Sequence, residues 1–229
     1  EAPVLAAILS FFVKFFNTDG KGHEDYVFYQ NENIPQYLFI SVVVALFLGL
    51  TVAAEEIIKD KKILKRESFL NLSLGSYLWS KILIMFIVSA IQTAFFVLIG
   101  NLILEIHGLW WEYWVILFST SCMANVLGLN ISSAFNSAKV IYIIVPLLII
   151  PQLIFSGVIV KFDKLHPIFS SNNEVPWIGN AMASRWAYEA LAVTQAVDNE
   201  HEKRQFDLHQ KQSNASWKRD YWIPEMKNQ

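Results

Sequence analysis

The residues best suited to chemistry in this chain lie in the segment 60–81, which reads DKKILKRESFLNLSLGSYLWSK. Charged side chains mix here with leucine, isoleucine and phenylalanine, a pattern typical of an amphipathic segment at a membrane surface, and we expect a break near Gly75. Two interpretations stay open: an ordinary basic loop that touches lipid, or a helix that docks on a partner protein. The polar candidates for docking are Asp60, Lys61, Arg66, Glu67 and Tyr77.

The chain shows no pattern that predicts catalysis or metal binding. No nucleophile–base–acid set and no glycine-rich phosphate loop occur. His201 and His209 stand among acidic residues, but no ligand spacing recurs, so we expect neither a metal site nor catalytic residues. A net charge of -2 gives no basic footprint for nucleic acid, and we expect no nucleic-acid partner.

The rest of the chain predicts membrane helices, and these would position the polar residues of 60–81. It is 54% hydrophobic and 17% charged, whereas soluble domains average about 45–50% and about 25%. Uncharged apolar stretches recur at 38–54, 82–104, 114–135 and 140–160, and about 20 apolar residues cross a bilayer as helix. We predict an all-α membrane protein with the lipid bilayer as a partner. Its five transmembrane helices should cover about 1–16, 38–58, 82–104, 113–135 and 140–160.

Basic residues predict the orientation of the connecting loops. Segment 59–81 holds six Lys or Arg, segment 17–37 holds only Lys21, and segment 105–113 holds none. Because cytoplasmic loops are enriched in Lys and Arg, we place 59–81 and 136–139 in the cytoplasm of a multi-pass inner-membrane protein. The other loops and everything after 160 should lie outside.

The region after the last apolar stretch differs from the rest. Segment 176–193 is apolar but interrupted by Arg185 and Glu189, which predicts an external re-entrant or interfacial helix. Segment 198–229 is polar and should form a separate external segment. The chain begins Glu-Ala-Pro, and we interpret it as a fragment whose first helix is cut.

Polar residues inside the apolar stretches allow two interpretations. Ser121, Asn125, Gly128 and Ser132 follow a spacing that places them on one helical face. Such a face either packs against a neighbouring helix through hydrogen bonds or lines a solute path. The candidate path residues are Ser41, Phe47, Thr51, Asn125 and Tyr142.

The fifth predicted helix contains Pro146 and Pro151 and is followed by Ser156-Gly157. Proline removes a helical hydrogen bond and kinks the backbone, which either improves packing or forms a hinge near the outer surface. The candidate outer gate consists of Pro151, Gln152, Leu153, Phe155 and Gly157.

The polar residues of 60–81, the Phe155-Ser156-Gly157 run and segment 185–191 together resemble a known family, the White or G-type exporters of the ATP-binding-cassette class. Asp60-Lys61, Lys65-Arg66-Glu67 and the Ser-Tyr to Ser-Lys run at 76–81 resemble that family's inner loop, with Asp60 and Lys61 where it has Glu and Arg. Segment 185–191 and Phe155-Ser156-Gly157 resemble its external helix and the outer end of its fifth helix. The resemblance covers most of 1–197 and suggests a bacterial member.

The resemblance implies a six-helix permease domain over 1–197 that works as a homodimer. A nucleotide-binding domain outside this segment, on the same or another chain, would bind ATP and Mg, so the segment itself needs no cofactor and is not the ATPase. The polar residues of 60–81 would then form a coupling segment, and an unidentified solute would be exported.

Two other functions stay open from the residues alone. One is an ion-coupled carrier or channel, and the other is a non-transporting membrane anchor or assembly module. The apolar stretches contain no Asp, Glu or His, which argues against a proton-driven carrier.

Overall fold

The computed structural model describes residues 1–18, 24–26, 28, 31–67, 73–135, 137–160, 162, 175–223 and 226. Within these ranges the fold is all-α, apart from a pair of two-residue strands in which Asn17 faces Asp25 and Thr18 faces Glu24. In chain order the elements are α1 (Ala2–Val13), β1 (Asn17–Thr18), β2 (Glu24–Asp25), α2 (Ile34–Ala54), α3 (Glu56–Glu67), α4 (Leu74–Leu104), α5 (Trp110–Ala134), α6 (Ala138–Ile154), α7 (Trp177–Ala181), α8 (Ala183–Val197) and α9 (Glu200–Trp217), followed by a π-helical turn (Lys218–Trp222).

Three of the described helices are long and apolar enough to cross a membrane: α2, which forms the apolar part of the helical run from Ile34 to Arg66, α4 and α5. The apolar helices α1 and α6 are shorter, with 12 and 17 residues. At a rise of about 1.5 Å per residue they reach about 18 Å and about 26 Å, less than a hydrocarbon core of about 30 Å. The all-α membrane fold is therefore confirmed, with three full-length and two shorter apolar helices where the sequence predicts five spans.

The bounds of the helices differ from those expected because caps and turns set them. Helix α4 begins at Leu74 rather than at 82, since Ser73 caps it: the Ser73 hydroxyl accepts a hydrogen bond from the Ser76 amide at 3.4 Å. Gly75 consequently lies in the first turn of α4 and is not a break. Helix α2 ends at Ala54, where a turn at Glu55 separates it from α3, so the helix expected to run to 58 is divided.

The end of the chain also departs from expectation. Helix α6 continues through both of its prolines and ends at Ile154, short of the expected 160. Segment 176–193 forms two helices, α7 and α8, and the polar segment 198–229 contains the helix α9.

Helices α2 and α5 form the centre of the bundle and approach closely because small residues face each other. A Cβ added to Gly49 would lie 2.7 Å from the carbonyl oxygen of Ser121, and one added to Gly128 would lie 2.8 Å from the Cβ of Ala53. A side chain at either position would therefore force the two helices to shift apart. Small residues at such contacts are typical of helix packing in membranes, where close van der Waals contact drives association.

Candidate functional site

Among the residues that the structure describes, a group of charged side chains joins the start of α3 to the start of α4. The ammonium of Lys81 lies 2.7 Å from a carboxylate oxygen of Glu56 and 2.7 Å from one of Asp60. The hydroxyl of Tyr77 donates to the same oxygen of Asp60 at 3.0 Å. We call these four residues the Lys81 cluster.

Helical spacing explains why the Lys81 cluster forms. Glu56 and Asp60 are four residues apart on α3, and Tyr77 and Lys81 are four apart on α4, so each pair shares one helical face. When the two faces meet, two acids surround one cation. The hydrogen bond from Lys81 lowers the pKa of Asp60, with a smaller contribution from Tyr77, and the carboxylate stays charged at neutral pH. The cluster therefore ties α3 to α4 by charge.

Helix α5 contacts α3 at two further points. The hydroxyl oxygen of Ser132 accepts hydrogen bonds from the backbone amides of Ile57 at 3.0 Å and Ile58 at 3.1 Å. The ammonium of Lys61 donates to the carbonyl oxygen of Phe135 at 2.8 Å. The first two turns of α3 are thus held by both α4 and α5.

The structure brings together only some of the residues that the sequence assigns to the coupling segment. Asp60 and Tyr77 meet in the Lys81 cluster, and Lys61 contacts the end of α5. Arg66 is exposed, and no hydrogen bond or ion pair joins it to another described residue. The side chain of Glu67, like residues 68–72, lies outside the described part. The functional assignment of these five residues stays a prediction.

Sequence reasoning did not name three residues of this site as coupling residues, although it placed Ser132 on the polar face of α5 and Lys81 in a motif. Glu56 and Lys81 complete the charge cluster, and Ser132 caps α3 from another helix. The spacing of Glu56 to Asp60 and of Tyr77 to Lys81 is visible in the sequence and could have indicated two matching faces. No local signal indicates that Ser132 meets α3, since the residues are about 75 positions apart.

Two of the candidate path residues are buried between helices. The amide of Asn125 donates to the Ser89 hydroxyl at 2.7 Å and to the Met85 carbonyl at 3.3 Å. The hydroxyl of Ser41 donates to the carbonyl of Tyr37 in its own helix at 2.7 Å. For Asn125 this geometry favours the packing interpretation, because its amide joins α5 to α4.

The other candidate path residues face outward or lie half-buried. Phe47 on α2 and Tyr142 on α6 are exposed, and the Tyr142 hydroxyl donates to the carboxylate of Glu55 at the turn between α2 and α3. Thr51 donates to the carbonyl of Phe47 at 2.8 Å. Phe47 and Tyr142 are therefore available to a partner or a solute, and the path assignment stays a prediction.

The candidate outer gate lies where α6 meets the start of α8. Gln152 is buried; its side-chain oxygen accepts from the Ser184 amide at 3.1 Å, and its carbonyl accepts from the Ser184 hydroxyl at 2.5 Å. Pro151 and Leu153 are half-buried in α6, and Phe155 follows its end. Gly157 has φ +81, where other residues are strained. Ser184 thus ties the end of α6 to α8, and the gating role stays a prediction.

In the described ranges, no group of three or more His, Cys, Asp or Glu side chains is arranged to hold a metal ion.

Comparison with known proteins assigns most of the chain, from α1 to α8, to a family. A family model described as ABC-2 type transporter matches residues 3–196. The chain is also 25% identical over 169 residues to the ABC transporter ATP-binding/permease protein Rv1747 of Mycobacterium tuberculosis (strain ATCC 25618 / H37Rv). That match covers 69% of this chain and 18% of the mycobacterial protein, so the chain spans less than a fifth of that relative's length.

Proposed function

This chain belongs to the ABC-2 type transporter family, and we propose that it is the membrane-spanning part of an ATP-driven exporter in the cytoplasmic membrane. It is a multi-pass membrane permease component and not itself the ATPase. The mycobacterial relative is named as an ATP-binding/permease protein. By analogy, an ATP-binding domain on the same or another chain binds ATP and Mg and acts on this permease.

The Lys81 cluster is the observation that carries the proposal. A coupling element must transmit the movement of an attached ATPase domain to the membrane helices. It can do so only if flexible side chains do not absorb that movement. Helix α3 is amphipathic and exposes Lys59, Lys62 and Arg66, while its other side is fixed to α4 by Lys81. Because α4 is a continuous helix of 31 residues, a displacement of α3 would travel to the opposite end of the bundle.

The switch that we propose is a rigid-body movement between two arrangements of the helices. ATP binding would pull two ATPase domains together and displace α3 in each of two copies of this chain. The exposed faces of α2 and α6, which include Phe47, Tyr142 and Ile143, are available to the second copy. An inward cavity would then close while the gate around Gln152 opens.

An ion-coupled carrier or a channel is the second candidate. The apolar windows of α2, α4, α5 and α6 contain no Asp, Glu, Lys, Arg or His between 34–54, 82–104, 114–134 and 140–154. Proton and ion relays in membranes usually use such groups. Their absence favours a permease whose energy comes from a separate domain.

A non-transporting anchor is the third candidate and predicts no solute movement at all.

The test is transport in inside-out vesicles that contain the full-length protein with its ATPase domain. The vesicles are incubated with the small-molecule extract of the producing cells plus Mg-ATP or Mg-ADP, and their contents are compared by mass spectrometry. We expect at least one solute to accumulate with ATP only. Accumulation that is equal with ADP would support a carrier or channel, and no accumulation in either case would support the anchor.

A variant pair links the transport to the site. Lys81→Met should lose ATP-dependent accumulation while the protein still inserts in the membrane. Lys211→Met is the matched control, because Lys211 is an exposed lysine on α9, outside both α3 and the cluster. Equal transport by the two variants would contradict the coupling role of the cluster.

A further inference from the structure

The first turn of α3 is completed by a residue from a different helix. The amides at a helix start have no partner within the helix, and a side chain close in sequence usually supplies the acceptor. Here the amides of Ile57 and Ile58 both donate to Ser132, which lies in the last turn of α5 and is 0% exposed. Because no water reaches this hydroxyl, the two amides depend on Ser132.

A glycine one turn earlier on α5 allows this contact. A Cβ on Gly128 would lie 3.0 Å from the carbonyl oxygen of Leu50 and 3.1 Å from the amide nitrogen of Ala54. The missing side chain lets the backbone of α5 approach the end of α2 directly before the turn into α3. Ser132, four residues later on the same face, then reaches the start of α3.

The contact is reciprocal, since α3 also caps the end of α5. The C-terminal end of a helix carries a partial negative charge, and the Lys61 ammonium donates to the carbonyl of Phe135, the C-cap residue of α5. Ser132 and Lys61 therefore form two contacts, one turn apart, between the same two helix ends. Helix α3 cannot tilt away from α5 without breaking both.

Helix α5 leads from this contact to the other end of the bundle. Near its start, the hydroxyl of Tyr113 donates to the side-chain oxygen of Gln195 on α8. Helix α8 in turn holds the end of α6 through Ser184. A continuous set of contacts thus joins the start of α3 to the candidate gate through α5, in addition to the route through α4.

We propose that Ser132 is a positioning residue for coupling: its hydroxyl fixes the first turn of α3 to α5, so that a displacement of α3 moves α5. The proposal rests on the function proposed above, because α3 must be displaced by an attached ATPase. It assigns α5 a part in coupling that the sequence does not indicate.

The experiment measures backbone hydrogen exchange by mass spectrometry in the full-length protein with its ATPase domain in lipid nanodiscs. Each sample is compared without nucleotide and with Mg-ATP plus orthovanadate. The variants are Ser132→Ala, which removes the acceptor, and Ser132→Thr, which keeps a hydroxyl. Ser133→Ala is the matched control, because Ser133 is exposed and its hydroxyl donates only within α5, to the carbonyl of Asn130.

Without nucleotide, Ser132→Ala should raise exchange at Ile57 and Ile58 roughly fivefold, as the loss of a helix cap predicts. With Mg-ATP and vanadate, exchange should change in both α3 and the last turn of α5 in the native protein. In Ser132→Ala the change should persist in α3 and become clearly smaller in α5, where only the Lys61 contact to Phe135 remains. Ser132→Thr and Ser133→Ala should behave like the native protein.

Each failure has its own signature. A normal nucleotide response of α5 in Ser132→Ala would overturn the coupling role of Ser132 and leave the proposed function intact. Unchanged basal exchange at Ile57 and Ile58 would overturn the cap itself. No nucleotide response in α3 of the native protein would overturn ATP-driven coupling, and the role of Ser132 would fall with it.

Discussion

Replacing Lys81 by methionine tests the central contact of this protein with the least change in shape. Methionine keeps most of the apolar stem of lysine and removes its charge. Glu56 and Asp60 would then face each other without a cation, since Lys81 contacts both at 2.7 Å. Two carboxylates close together repel and lose the partner that offsets their desolvation.

The burial of the three side chains determines how much free energy the loss of the Lys81 charge should cost. Lys81 is 16% exposed, Glu56 25% and Asp60 26%, between a surface pair and a fully buried one. Removing one partner costs about 0–1 kcal/mol at a surface and about 3–5 kcal/mol in a core, so we expect about 2 kcal/mol here. At 1.4 kcal/mol per factor of ten, this shifts the opening of α3 by roughly 30-fold.

The assay measures backbone hydrogen exchange of α3 in the protein embedded in nanodiscs. The exchange rates of the variants are combined in a double-mutant cycle. Lys81→Met, Asp60→Asn and the double variant are compared with the native protein, and the non-additive part reports the contact between the two residues. We expect a coupling free energy of about 1–2 kcal/mol between Lys81 and Asp60, between the values typical of exposed and of buried ion pairs. Additive effects of the two substitutions, or equal exchange in Lys81→Met and Lys211→Met, would refute the reasoning.

The same cluster predicts a dependence on pH. Because Lys81 lowers the pKa of Asp60 in the folded protein, Asp60 stabilises the α3–α4 contact above its unfolded pKa. That contribution disappears as the pH falls through the lowered folded pKa. The protection factor of α3, which corrects for the slower intrinsic exchange in acid, should therefore fall more with acid in the native protein than in Asp60→Asn, and identical pH profiles would contradict the assignment.

Three further perturbations test the packing and assembly. Gly128→Ala should destabilise the protein by about 1–3 kcal/mol through overcrowding between α2 and α5, measured as a lower melting temperature in detergent. Gly75→Ala is the control and should be neutral or stabilising, because an added Cβ there meets nothing closer than 3.9 Å. Gln152→Ala removes the acceptor of a buried amide at the start of α8 and should cost about 1–3 kcal/mol in the same measurement, and an unchanged melting temperature would argue against the tie between α6 and α8. In a background without the native cysteine, Ile143→Cys should give disulfide-linked dimers if α6 faces a second copy. Leu102→Cys on α4 is the control and should not, although the two native residues are equally exposed, at 71% and 70%. Equal cross-linking of both variants would contradict the proposed dimer face.

The sequence alone determined that this chain is an α-helical membrane protein. That result follows from a local property, because a helix that crosses about 30 Å of hydrocarbon needs about 20 apolar residues in a row wherever it packs. The family resemblance also rests on short local motifs, such as Ser76-Tyr77 with Ser80-Lys81, and the family match over 3–196 confirms it.

Only the tertiary structure decided which polar residues meet. Asn125 and Ser132 share one face of α5 in the sequence, yet Asn125 binds α4 and Ser132 caps α3. Helical periodicity states which residues share a face, but the rotation and pairing of helices depend on long-range contacts such as that of Gly128 with α2. The partners of Lys81 and Ser132 are therefore products of packing, since they join residues 21 to 75 positions apart. Local spacing marks the two faces of the Lys81 cluster but does not determine that these faces meet.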